Sequence, residues 1–258
     1  MKVAVCLSGQ MRYFRECYPN IYQYIIEPNK ADVFIHSWYD TDNLEVFGYD
    51  PERKVTLSKG ADKELIELYQ PKAWLIEKPK TFYNSKIVIP PCYRNRTAIA
   101  IRNRPDINLD IQCMTNVYSM YYSIMKCNEL KEIYAFENNS LYDAVIKLRF
   151  DTNVSMPVLC EEYDMDYFYY ADLNHPDSIL SDWINMGSNQ IMNIYASTFL
   201  HIEYLNHYKY FTKEHRIPNT LYYTESASWG SEHILRDIMT LFQIPSLPMR
   251  ERYSLYRC

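Results

Sequence analysis

The chain has 258 residues, 48% of them hydrophobic and 23% charged, and a formal net charge of -5. That balance supplies a full core for one large domain or two fused halves, and it excludes a strongly basic nucleic-acid binder. No apolar run approaches the roughly 18 residues of a membrane span, so no transmembrane segment is expected.

Val3–Leu7 reads as a buried first strand, its apolar run too short for the core of a signal peptide. Ser8-Gly9-Gln10-Met11-Arg12 follows as a loop. Phe14–Ile26 has a helical pattern, with Pro19 marking a turn or kink. Asp32–His36 is a second strand and leads into Ser37-Trp38-Tyr39-Asp40-Thr41-Asp42. Strand, helix, strand implies parallel pairing through a right-handed crossover. The same logic makes Ala61–Tyr69 a helix and Ala73–Ile76 a third parallel strand.

Lys78–Asp110 is irregular, with Pro79, Pro90, Pro91 and Pro105 and the basic pairs Arg94/Arg96 and Arg102/Arg104. A connection of that length predicts a lid or binding loop. Ile111–Cys127 has helical spacing, and Asn128–Phe136 forms a second helical stretch. Ala144–Leu148 is a short apolar run, broken only by Lys147, which suits a strand covered on both faces. Tyr167–Tyr170 is a further strand. Ser181-Asp182-Trp183 then runs to a Gly187-Ser188 turn, and a helix is expected over Gln190–Leu205. Ser231 is a good N-cap for a helix over Glu232–Phe242, closed by Pro245 and Pro248.

The chain is organised around the end of the Ala144–Leu148 strand. Ligands of open α/β sheets gather beyond the carboxyl ends of strands. Arg149, Phe150, Asp151 and Asn153 stand there. Asp151 and Asn153, two residues apart, can share a hard divalent cation, or they can form an Asx-turn that ends the strand. Arg149 either neutralises Asp151 or faces a diphosphate. Two literal D-x-D matches compete. Asp40-Thr41-Asp42 lies beyond the second strand and suits a nucleotide contact or a solvated loop. Asp164-Met165-Asp166 precedes a strand and so sits at the wrong end of the sheet.

Gly9 permits close backbone approach to a ligand, and Arg12 offers a fork for phosphate or for a surface ion pair. Asp182 beside Trp183 is a candidate general base on an acceptor platform, or a loop carboxylate next to a packed ring. His233 is a candidate metal ligand or a structural histidine. The 26 tyrosines suit sugar rings and equally reflect A+T-rich coding. No dinucleotide fingerprint, P-loop, H-E-x-x-H or G-x-S-x-G occurs. Seven scattered cysteines without a C-x-x-C pair suit a reducing, cytoplasmic setting.

Three blocks, Val3–Arg12, Ala31–Trp38 and Tyr142–Asp151, resemble GT-A-like glycosyltransferases of surface-polysaccharide gene sets in bacteria and large DNA viruses. Ser181–Ser188 and Ser231-Glu232 look similar to later blocks. The resemblance implies an α/β, GT-A-like single domain with a mixed, mostly parallel central sheet flanked by helices. A nucleotide-sugar half, 1–153, would precede an acceptor half, 154–258. It implies a nucleotide-diphosphate sugar donor, a glycan acceptor, and Mn²⁺ or Mg²⁺ on Asp151 and Asn153, and His233 is the candidate further ligand on its chemistry alone. Ser8, Gly9, Gln10, Arg12, His36, Ser37, Asp40 and Asp151 would hold the nucleotide, and Asp182 and Arg149 would act in catalysis. Asn153 departs from the usual second Asp. Rival readings are a nucleotidyltransferase acting on sugar phosphates and a non-catalytic glycan-binding protein.

Overall fold

The computed structural model describes residues 1–47, 54–82, 109–172, 180–202 and 231–256, and for residues 47, 109–115 and 233 the backbone only. In chain order the first elements are β1 (Val3–Gln10), α1 (Phe14–Ile21), α2 (Glu27–Asn29), β2 (Asp32–Trp38), β3 (Glu45–Phe47), β4 (Lys54–Thr56), α3 (Ala61–Tyr69) and β5 (Ala73–Glu77). They are followed by α4 (Leu109–Glu137), β6 (Ala144–Leu148), β7 (Thr152–Val154), β8 (Phe168–Tyr170), β9 (Ile184–Ser188), α5 (Asn189–Ala196), α6 (Ser231–Leu241), β10 (Ser246–Pro248) and β11 (Tyr253–Leu255). Among the described residues, no helix is long and apolar enough to cross a membrane.

The central sheet has the strand order β10-β8-β9-β6-β1-β2-β5. β5, β2, β1 and β6 pair in parallel, as expected of crossover units. β9 is antiparallel to both β6 and β8, and β10 is parallel to β8, so β9 alone runs against the rest. The apolar runs of β1, β2 and β6 are buried on both faces, which is why they lack polar alternation.

Successive residues feed opposite cores. Val5, Leu7, Ile35, Ile146 and Leu148 join the α1/α3 side, with Phe14, Ile21 and Leu65. Ala4, Cys6, Phe34 and Val145 join the α4/α5/α6 side, with Tyr121, Ile124, Tyr195, Ile234 and Ile238. Most tyrosines named there are core rings. Tyr18 meets Tyr69 edge-on at 4.9 Å, and Tyr121 meets Tyr195 at 6.4 Å.

Several expectations need correction. Ser8-Gly9-Gln10, expected as a loop, continue β1, and Ser37-Trp38 continue β2, because the two strands stay paired in register to Gln10 and Trp38. Residues 111–136 form one continuous helix rather than two, because no Gly or Pro interrupts α4 and Val117, Tyr121, Ile124, Cys127, Lys131 and Ala135 share one buried stripe. That helix ends at Asn139, in the left-handed region at φ 45. Ile184–Ser188 is a strand, not a turn. Asn185 and Gly187 disguise it, although both of its faces are covered. Finally, the helix that follows is interrupted at Ser197, with residues 198–202 helical again. Ser188 caps its start by accepting from the Ile191 N–H.

The Phe14–Ile26 pattern is helical throughout, but Tyr22–Ile26 is a π-helical turn. Pro19 has no N–H to give and crowds the carbonyl a turn earlier. The helix widens directly after it, and the Tyr22 N–H reaches the carbonyls of Pro19 and Tyr18.

Candidate active site

The carboxyl ends of β1, β2 and β6 lie side by side. Ser8 is in register with His36 and Gly9 with Ser37, while Leu7 is opposite Leu148. β6 ends at Leu148, and a turn closed by the Thr152 N–H on Arg149 O at 3.3 Å keeps Asp151 beside Arg149. Because β9 is antiparallel, the chain enters it where β6 leaves. Arg149 N–H donates to Trp183 O at 3.2 Å, so Ser181-Asp182-Trp183 arrives beside Arg149. Asn185 Nδ2 donates to Ser181 O at 2.8 Å and closes that turn.

At the centre is a guanidinium–carboxylate cluster. Arg149 forks onto Asp151, Nε to Oδ1 at 2.9 Å and Nη2 to Oδ2 at 2.7 Å. Arg12, from the loop after β1, brings Nη2 to 3.2 Å from the same Oδ2. The Asp151 side chain is only 7% exposed, against 24% for Arg149 and 16% for Arg12. Burial opposes the charge on Arg149, but Asp151, then Asp182 and Glu232, outweigh it and hold its pKa above the usual range.

Beneath this cluster lies Lys147, fully enclosed in mid-sheet. Its ammonium donates to the Asp182 carbonyl and lies 6.0 Å from the Tyr195 ring. Burial lowers its pKa to about 8, against the pull of the Asp182 carboxylate. Glu232, at the start of α6, is the acid near Arg149 that sequence reading left out of the site.

His36 and Ser37 take a different position from that expected of nucleotide contacts. Both are fully buried and bonded within the protein. His36 Nδ1 is 2.7 Å from Ser123 Oγ of α4, and Nε2 is 3.0 Å from Glu77 at the end of β5. Burial lowers the His36 pKa, with Glu77 opposing it. Ser123 Oγ also accepts from the Gly9 N–H at 2.8 Å, and Ser37 Oγ donates to Gly9 O at 2.7 Å. These bonds fix Gly9 at φ 109, where a side chain is strained. His36 and Ser37 therefore brace the carboxyl end of β1 from behind.

The remaining predicted residues are spread around this centre. Ser8 is buried, and its Oγ makes no hydrogen bond among the described residues. Gln10 ends β1 opposite Trp38. Trp38 is itself packed, stacking on Tyr122 at 5.6 Å. Asp40 pairs with Lys78 at 3.1 Å and accepts from the Asp42 N–H at 3.0 Å, which holds its pKa low. That is an Asx-turn, and so is Asp164 with the Asp166 N–H. Asp182 is 5% exposed. Asn153 lies in β7 opposite Ser254, with Thr152 and Val154 buried on the other side of the strand. His233 is in α6, its side chain outside the described residues, as is the Arg94–Arg104 stretch.

The predicted cation does not fit the described side chains. No group of three His, Cys, Asp or Glu able to hold a metal occurs among the described residues. Both oxygens of Asp151 are already engaged by guanidinium groups. A Mg²⁺ or Mn²⁺ bound to one of them would stand roughly 4 Å from a guanidinium nitrogen. At an effective dielectric of about 20 that repulsion is on the order of 8 kcal/mol before relaxation. The reason is local: with Arg at 149, the carboxylate two residues on has an intrachain cation within reach.

No protein-family model matches this sequence, and no curated protein does. Solved structures match by shape. Core-mannan synthase A of Aspergillus fumigatus, in a form with manganese and GDP, aligns at TM-score 0.51 over 100% of this chain and 78% of its own, with 10% identity. The apo form of the glycosyltransferase GlyE of Streptococcus pneumoniae aligns at TM-score 0.43 over 95% of this chain, with 11% identity. This chain spans 44% of the length of GlyE.

The mixed sheet with helices on both faces is thus a GT-A-like fold. At 10% identity the likeness to core-mannan synthase A is one of fold.

Proposed function

We propose that the chain is a glycosyltransferase moving a hexosyl or pentosyl group from a nucleoside-diphosphate sugar to a hydroxyl of a glycan or glycoconjugate. The observation that carries this reading is the Arg12–Asp151–Arg149 cluster at the adjoining carboxyl ends of β1 and β6, in a GT-A-like sheet. Guanidinium forks match the geometry of phosphate oxygens and carry charge at every physiological pH. Arg12 and Arg149 would hold the diphosphate and offset the charge that builds on it as the bond to C1 breaks. Gly9, near the end of β1, lets main chain approach the same group.

In this reading Asp182, which reaches the site beside Arg149 at the β6–β9 junction, acts as general base. In an inverting reaction the acceptor oxygen bonds to C1, and its proton passes to the Asp182 carboxylate. The C1–O bond to phosphate breaks, and its electron pair leaves with the nucleoside diphosphate. Trp183, next in sequence, is the candidate acceptor platform. No step in this scheme passes through a divalent cation. A cytoplasmic setting, UDP as the nucleotide and a role in polysaccharide synthesis belong to the same reading. Incubation with radiolabelled nucleotide sugars, beside nucleoside triphosphate plus sugar 1-phosphate, tests it. Release of nucleoside diphosphate supports transfer, whereas release of pyrophosphate would favour a nucleotidyltransferase.

A further inference from the structure

Resting on the glycosyl-transfer reading, we infer that this site binds the donor diphosphate through the Arg12–Asp151–Arg149 cluster in place of a divalent cation, so that donor binding and transfer survive chelation. Asp151 is then a positioning residue that orients two guanidinium groups, not a metal ligand. Its Oδ1 and Oδ2 are both taken, by Arg149 Nε and Nη2 at 2.9 and 2.7 Å, with Arg12 Nη2 at 3.2 Å from Oδ2. The trio carries a net charge of one positive unit, and guanidinium groups match the geometry of phosphate oxygens.

The cluster is built from separate elements. Arg12 follows the end of β1, which Ser123 and Ser37 brace at Gly9, and Arg149 is tied through its N–H to Trp183 O. Two partly exposed forks on a nearly buried carboxylate form a preorganised anion receptor. Asn153, the second half of the expected ligand pair, lies on β7 and pairs with Ser254. The spacing that reads as a metal motif serves here to hold Arg149.

Calorimetry on the full chain tests this, titrating UDP, GDP and ADP in EDTA and again in MnCl2, with nucleotide-sugar turnover measured in both buffers. The expected result is an affinity for the preferred diphosphate that differs by less than about threefold between buffers, with turnover retained in EDTA. Arg12→Ala and Arg149→Ala should each weaken binding by about tenfold or more, as loss of a charge-assisted pair does, and Asp151→Asn by less than either. The comparison of buffers needs no variant to fold. Binding lost in EDTA by tenfold or more and restored by Mn²⁺ overturns the inference and leaves the transferase reading standing. Equal loss in all three variants with a native circular dichroism spectrum, together with metal dependence, assigns Asp151 to a metal and overturns it too. No diphosphate binding in either buffer removes the transferase reading itself, and this inference with it.

Discussion

Lys147 gives the sharpest physical test of the region beneath the site. Its ammonium is enclosed between β6, β9 and α5, with burial lowering its folded pKa to about 8 from the usual 10.5. The groups facing it are Asp182, Arg149, Asp151, Cys127 and the Tyr195 ring. Because the folded pKa is depressed, the unfolded chain binds the proton more tightly. Stability therefore rises with pH across the window from about 8 toward 10.5. Between pH 7 and pH 9.5 this residue alone should add about 2 kcal/mol, of a full span near 3 kcal/mol. Lys147→Met removes the titration. At pH 7 it also removes the cost of the buried charge, less about 1 kcal/mol for the bond to the Asp182 carbonyl. Urea unfolding of both proteins at five pH values isolates the effect, because the tyrosines that ionise above pH 10 are common to both. A difference between wild type and variant that stays flat from pH 7 to pH 9.5 would refute the claim that this ammonium is held in a dry environment.

Other outcomes are expected. Gly9→Ala puts a side chain at φ 109 and should cost about 1–3 kcal/mol through backbone strain alone, since no atom crowds the new Cβ. Its thermal midpoint and donor affinity should fall together. Gly187→Ala places a Cβ 3.0 Å from Ile191 Cγ2 and 3.2 Å from Tyr167 O, so about 1–3 kcal/mol of overpacking is expected in denaturant melts. His36 has a lowered folded pKa, so the unfolded chain protonates first. Stability should fall as pH drops below about 6.5, and His36→Gln should lose that part of the acid sensitivity in urea melts between pH 7.5 and 5. Asp182→Asn should reduce turnover by at least about 100-fold with little change in donor affinity, if it takes the acceptor proton; an unchanged rate would free it from that role.

The parallel half of the fold is legible because burial on both faces leaves an unmistakable apolar run in β1, β2 and β6. β9 is buried just as fully, but Asn185 and Gly187 interrupt its apolar residues, and only the hydrogen bonds of the folded state show why they are tolerated. β3, β4, β7, β10 and β11 are three residues long each, too short to carry a period. Within the candidate site, the two-residue spacing of Lys147, Arg149 and Asp151 is visible in sequence, and so is the possibility that Arg149 neutralises Asp151. The second arginine is not. Arg12 meets Asp151 only because β1 and β6 pair in register, a long-range fact that no local pattern encodes. For the same reason the burial of His36, which the resemblance places among nucleotide contacts, is not visible in the sequence. Its partners Ser123 and Glu77 come from two other elements.

The one reversed strand divides the surroundings of the sheet's active edge by origin. Arg12 and Arg149 come from chain that has just left a strand, whereas Asp182 comes from chain about to enter one. Insertions and deletions ahead of β9 can therefore remodel one flank and leave the diphosphate flank untouched. Under the proposed chemistry, acceptor preference would diversify among homologues faster than donor preference.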